Sequence, residues 1–329
     1  MTNRYHIPPD FRFHDEYSFA QADSPPYMWH RPDELLKVAK LLENGAEQLK
    51  IGIIDTGWSR HKWLPEAQEV FNETDDRSAF AGNMHGVHVW GIIGGLMGIG
   101  LVPKAKFYIF KGLDNSGSGA STWLNNCIRK AADVGCHFIN GSYGSSQGTQ
   151  DDKDALNYFY TVGRKNGGGL LAWLAAGNSG YNGRTNTIGW PARWNLGGTV
   201  SSYDSNGDIS SFSSGGPGIH VAGAGGKIIS TLPGKSESDE GTEVGVASGT
   251  SMATPDQLAK AALYCIARQA AGLPQLHGPD EWHDDFERLF NEKAIADGGQ
   301  PGRDNWWGWG QFTTNTLVSE ISKLAGLGV

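Results

Sequence analysis

Short, continuous apolar runs alternate with amphipathic stretches through most of this chain. Residues 50–57, 105–111, 137–140 and 169–176 are runs whose length and continuity suit strands buried on both faces. Between them, residues 33–44, 121–134 and 151–165 place apolar side chains at helical spacing. In the first, Leu35, Leu36, Ala39 and Leu42 share a face, Asp33 is a candidate cap and Gly45 a stop. In the second, Leu124, Ile128 and Ala131 do so, and Cys127 joins them as inert core. Strand and helix in strict alternation predict an α/β fold: a three-layer open parallel sheet with helices on both faces and right-handed crossovers.

The remaining stretches are less regular. Residues 1–32 show no period and read as an arm, which with the helix at 33–44 forms an N-terminal unit, 1–49, packing on the body, 50–329. Residues 58–83 read as irregular. Further strands are expected at 197–200, 219–221 and 228–232, followed by a solvated acidic loop at 235–243. A helix begins near Ser251, others cover 281–291 and 316–324, and a turn rich in Trp (Trp306, Trp307, Trp309) separates the last two. No internal repeat or long linker divides the chain.

Composition narrows the class. The chain has 329 residues, enough for one large core or two modest ones. A net charge of −8 and the absence of a basic stripe argue against a nucleic-acid partner. Three Cys without a CxxC pair form neither a disulfide framework nor a zinc site. The first thirty residues do not read as a signal peptide, and no apolar run reaches the roughly 18 residues of a membrane span. A cytoplasmic protein with no membrane contact is the expectation.

Four stretches carry candidate chemistry. Asp55 closes an apolar run, and open α/β sheets place chemistry just beyond the carboxyl ends of their strands. His85 and His88 stand three apart, but no third ligand at recognisable spacing supports a metal, so one is read as chemical and the other as packed. Asn178 follows an apolar run between two glycines. Ser251 stands at a helix start, either as a simple cap or as a nucleophile whose developing negative charge the helix terminus favours. A Ser hydroxyl needs a base, a His serves near neutral pH, and a carboxylate orients that His. A tetrahedral intermediate needs preplaced donors, which the Asn178 amide and the Ser251 N–H offer.

Together, Asp55-Thr56-Gly57, His85-Gly86-Val87-His88-Val89, Ala175-Ala176-Gly177-Asn178 and Gly249-Thr250-Ser251-Met252-Ala253-Thr254-Pro255 resemble the subtilisin-type serine proteases (subtilases) over roughly residues 50–320. The chain order Asp…His…Ser is that of subtilisin. The resemblance implies a serine endopeptidase with Asp55 orienting His85, His85 as general base and acid, Ser251 as nucleophile and Asn178 as oxyanion donor. It also implies a protein or peptide substrate bound as an added strand between Gly117-Ser118-Gly119 and Ser142-Tyr143-Gly144. Ala175, Ala176, Gly177 and Gly189 would line the pocket for a large apolar side chain before the scissile bond. No cofactor is needed for the chemistry. The family's usual calcium site is not expected, because Trp63 stands at one ligand position and the loop at 96–100 is short; other calcium sites stay open.

Several positions depart from the family pattern: Val87, Trp90, Tyr143, Ala224, and Asp256 where a His is usual. Asp256 puts a negative charge within about one turn of the nucleophile, where it either weakens oxyanion stabilisation or is neutralised by a neighbour. Two other functions remain open, a catalytically silent binding protein on the same fold and a peptide-maturing transpeptidase or macrocyclase. The arm at 1–32 could be a short inhibitory segment.

Overall fold

The computed structural model describes residues 4–7, 12–19, 28–180, 185–293, 303–311 and 314–326. Twelve strands are described: β1 (Arg4–His6), β2 (Arg12–Phe19), β3 (Lys50–Asp55), β4 (Ala67–Asn72), β5 (Lys106–Lys111), β6 (Ser118–Ala120), β7 (Phe138–Gly141), β8 (Leu171–Ala175), β9 (Gly198–Tyr203), β10 (Val221–Ala224), β11 (Ile228–Thr231) and β12 (Val244–Ser248). The α-helices are α1 (Asp33–Leu42), α2 (His85–Gly94), α3 (Ser121–Asp133), α4 (Gln150–Lys165), α5 (Thr250–Ala270), α6 (Gly278–Lys293) and α7 (Thr314–Ala325).

Seven strands form one parallel sheet in the order β10-β9-β8-β7-β3-β5-β4. Its central strands alternate between two cores. Ile51 and Ile53 of β3, Phe107 and Ile109 of β5 and Trp173 of β8 pack with α1, α2, α5, α6 and α7. Ile54, Phe110, Ile139, Ala172 and Leu174 face the other way, against α3 and α4. Both faces are therefore dry, which is why these strands read as unbroken apolar runs. The predicted three-layer α/β fold is the observed one. Among the described residues, no helix is long and apolar enough to cross a membrane.

Differences from expectation concern pairing. The stretch expected to be irregular, 58–83, contains β4, an edge strand with its side chains partly exposed. Asp33 does not cap α1: Pro32 occupies the cap and Asp33 is the first helical residue, placed to favour the helix dipole. The arm expected to lack regular structure contains two strands. β2 adds antiparallel to β12, Arg12 opposite Ser248, in a three-stranded sheet ordered β11-β12-β2. β1 pairs antiparallel with β6, Tyr5 opposite Gly119.

Candidate active site

Asp55 ends β3 and is fully buried. Its Oδ1 accepts from Thr56 N at 2.7 Å and lies 2.8 Å from His85 Nδ1, with Oδ2 at 3.0 Å from the same nitrogen. His85 opens α2, and the junction is tied by Thr56, whose Oγ1 accepts from Gly86 N at 2.9 Å and donates to Asn83 O at 3.0 Å. Gly86 suits this close approach: a Cβ there would stand a tight 3.0 Å from Gly57 O and 3.1 Å from the Asp55 Cβ. One helical turn on, His88 Nε2 lies 3.2 Å from Gly245 O, and burial pushes its pKa down to about 3. The second His is thus a neutral packing residue that ties α2 to β12.

Ser251 is the second residue of α5. β3 and β7 are neighbours in register, Ile54 opposite Gly141, so Asp55 and Ser142 leave the sheet side by side at its carboxyl edge. Ser142 then meets Ser251 twice. Ser251 Oγ donates to Ser142 O at 3.2 Å, and Ser142 Oγ donates to Ser251 O at 2.8 Å. The second bond has a simple origin. Pro255 has no N–H, so the carbonyl four residues earlier, that of Ser251, lacks its helical partner and takes a side-chain hydroxyl instead. Asn140 Nδ2 in turn donates to Ser142 Oγ at 2.8 Å.

Asn178 follows β8 and is oriented by Thr250. Its Oδ1 accepts from Thr250 N at 2.9 Å and from Thr250 Oγ1 at 2.8 Å. With the oxygen so committed, Nδ2 is the end left over, buried and without a partner. An amide donor held dry and unused is the arrangement expected where charge appears only during reaction. Gly249 makes room for it, since a Cβ there would lie 3.2 Å from Nδ2.

The small residues expected to line a pocket come together at the carboxyl end of β8. Ala175, Ala176 and Gly177 are consecutive, and Gly189 N donates to Ala176 O at 2.9 Å. Gly177 adopts a φ of +105°, which only glycine enters without strain. The two expected groove edges face one another with β1 between them. His6 and Gly144 exchange N–H···O bonds of 3.0 Å in both directions, and Ile7 N donates to Gly117 O at 3.0 Å. Tyr5 sits fully buried against Tyr143, ring edge to ring face at 5.6 Å, and its hydroxyl donates to Asp152 Oδ2 at 2.5 Å.

The charge at Asp256 is neutralised. Its Oδ1 is 2.5 Å from Arg31 Nη1, and its Oδ2 accepts from Lys260 Nζ at 2.9 Å and Ala224 N at 3.2 Å. Burial would raise this carboxyl, but the Lys260 ammonium and the Arg31 guanidinium outweigh it and hold it well below the usual carboxylate range. Arg31 further donates to Ile92 O and Ile99 O, clamping the end of the arm to α2 and the loop after it. Lys111 is another buried cation, donating to Thr56 O at 2.6 Å behind Asp55, with its pKa lowered by burial against the pull of Asp76. Sequence reasoning singled out neither Thr250, Arg31 nor Lys111 as a support of the site.

A buried Asp–His pair, a Ser on a helix terminus and an idle amide at a sheet's carboxyl edge are the equipment of a serine hydrolase. The Subtilase family model matches residues 46–310, and the chain belongs to that family, the subtilisin-like serine proteases. It is similar to subtilisin DY of Bacillus licheniformis, 34% identical over 239 residues, covering 70% of this chain and 81% of that protein. Similarity to subtilisin E of Bacillus subtilis (strain 168) is 34% over 223 residues, covering 65% of this chain and 55% of that protein. A subtilisin of Bacillus pumilus is 35% identical over 223 residues, 65% of this chain and 76% of that protein.

Proposed function

We propose that this protein is a serine endopeptidase that hydrolyses peptide bonds through an acyl-enzyme on Ser251, and that its own N-terminal strand holds it latent. His85 removes the Ser251 proton as Oγ attacks the substrate carbonyl, while Asp55 fixes the imidazole and offsets its charge. The oxyanion is held by Asn178 Nδ2 and by the Ser251 N–H, a first-turn amide with no intrahelical acceptor. The intermediate collapses as His85 returns the proton to the departing amine. Water then repeats the cycle and frees Ser251. No cofactor enters any step.

The observation that carries the reading is the unpartnered Asn178 amide, fixed by Thr250 beside a Ser on a helix terminus. The β1 pairing supports the substrate assignment: an extended peptide fits between the two edges by main-chain hydrogen bonds, as an added strand. In this antiparallel register, a peptide continued two residues beyond the His6 position would stand opposite Ser142, next to Ser251. In the sequence, His6-Ile7 is followed by Pro8-Pro9. A proline has no N–H to offer Ser142 O, so a peptide of this sequence would be a poor substrate at that bond.

Incubation with a library of unstructured peptides, followed by mass spectrometry, tests the assignment. Wild type should release fragments cut within the peptide with water added, and Ser251→Ala should release none. Products one water lighter would show transfer to an amine instead, and an inert wild type that binds the same peptides would show a binding protein.

A further inference from the structure

The subsite that Tyr5 occupies has an unusual floor. Asp152 lies in the first turn of α4, where it completes a capping box: its N–H donates to Thr149 Oγ1 at 3.2 Å and its Oδ2 accepts from Thr149 N at 2.6 Å. Capping-box carboxylates ordinarily sit at the surface, where water completes their solvation. Asp152 is only 1% exposed. Its Oδ1 accepts from Asn125 Nδ2 at 3.0 Å, and the remaining donor to Oδ2 is the Tyr5 hydroxyl, brought in by the arm. The phenol ring fills the space between Tyr143 and this carboxylate, and the pairing holds Tyr5 protonated, its pKa raised by burial and then by the Asp152 hydrogen bond.

Helix capping accounts for the bond to Thr149 but not for a buried carboxylate whose last donor comes from a segment 147 positions away. A peptide bound in place of the arm leaves that acceptor to the substrate. We infer that Asp152 is a specificity-determining residue of the groove, and that it selects tyrosine three residues upstream of the residue opposite Ser142. The inference rests on the reading of the groove as a peptide site. A tyrosine there restores the full set of donors. A phenylalanine fills the same volume but leaves a buried, charged acceptor one donor short, which costs far more than the lost contact area. Arg4-Tyr5-His6-Ile7 is then a template for the preferred substrate, displayed by the chain itself.

The test uses the full chain carrying Tyr5→Ala, which weakens the arm's hold on the groove, with and without Asp152→Asn. Calorimetry measures binding of the acetylated tetrapeptide Arg-Tyr-His-Ile and of its Tyr-to-Phe counterpart. Residual competition from the arm acts equally on both, so their affinity ratio survives it. A hydrogen bond to a charged group corresponds to about a ten- to hundredfold preference for the tyrosine peptide. In Asp152→Asn that ratio should fall to about twofold or less, with the Phe peptide's affinity and the melting temperature little changed. A purely structural Asp152 would lower both affinities together and leave the ratio alone. Equal affinities with Asp152 in place, or a preference that survives Asp152→Asn, would overturn the inference. Cleavage of longer tyrosine peptides is read separately: intact preference without cleavage would sink the endopeptidase reading and leave Asp152's selectivity standing.

Discussion

Replacing Arg31 with methionine removes one charge from the buried cluster beneath the nucleophile's helix. Arg31 and Asp256 are both inaccessible, with 2.5 Å between Nη1 and Oδ1. The guanidinium also serves Ile92 O at 2.9 Å, Ile99 O at 3.2 Å and His30 O at 3.3 Å, so four acceptors lose their donor together. Breaking a buried pair by deleting one partner costs about 3–5 kcal/mol, chiefly because the other charge is left uncompensated. Lys260 still faces Asp256 at 2.9 Å, which sets the expectation near the middle, about 4 kcal/mol. For a chain of this size that corresponds to a fall in melting temperature on the order of 6 °C. Calorimetry in a Ser251→Ala background, where self-digestion cannot contribute, reads it directly. The double variant Arg31→Met/Asp256→Asn should lose less than the sum of its parts, because the second change removes the stranded charge. An Arg31→Met protein that melts within about 1 °C of its parent, or strictly additive costs, would refute the claim that this pair is what neutralises Asp256.

Other expectations follow from the same geometry. Asn178→Ala should lower kcat by about 10²–10³-fold with KM little changed, and Thr250→Val by about tenfold, measured by steady-state kinetics on one peptide. If the Asn178 variant instead raises KM alone, the amide serves ground-state binding. Tyr5→Ala gives up a buried aromatic side chain worth about 3 kcal/mol and should raise the initial rate by roughly a hundredfold at low substrate; an unchanged rate would mean that β1 does not gate the groove. Burial lowers the pKa of His88 to about 3 and those of His137 and His283 to about 4. The unfolded chain therefore takes up these protons first as pH falls below about 6.5, and stability should drop from that pH down to about 3. His283→Phe, which keeps a ring stacked on His220, should shallow that slope in denaturant titrations; an identical slope would exclude His283 from it.

What the sequence disclosed, and what it hid, follows from where each signal resides. β3, β5, β7 and β8 were legible because strands dry on both faces must be apolar throughout. β4 was not, because an edge strand reading AQEVFN exposes half its side chains and carries no such run. β12, VGVAS, is too small and glycine-containing to stand out, although it leads directly to Ser251. β1 and β2 had no period to find, because their regularity comes from the edges they pair with. Asp55, His85, Asn178 and Ser251 stood out as candidates because polar residues flanked by glycine and apolar runs mark the ends of elements, where open α/β sheets place their chemistry. Thr149-x-x-Asp152 carries the pattern of a capping box, yet nothing local indicates that its carboxylate meets the Tyr5 hydroxyl. Arg31 and Asp256 lie 225 positions apart, so the question raised by Asp256 could be posed from the sequence but answered only by the fold.

The central claim is that Ser251 is an activated nucleophile behind a strand that can be displaced. Treatment of the full chain with a fluorophosphonate, followed by intact-mass analysis and peptide mapping, tests it most directly. The account predicts a single adduct on Ser251, formed faster in Tyr5→Ala than in wild type, and none in Ser251→Ala. A folded Tyr5→Ala protein that gains no adduct, or an adduct that persists in Ser251→Ala, would contradict it.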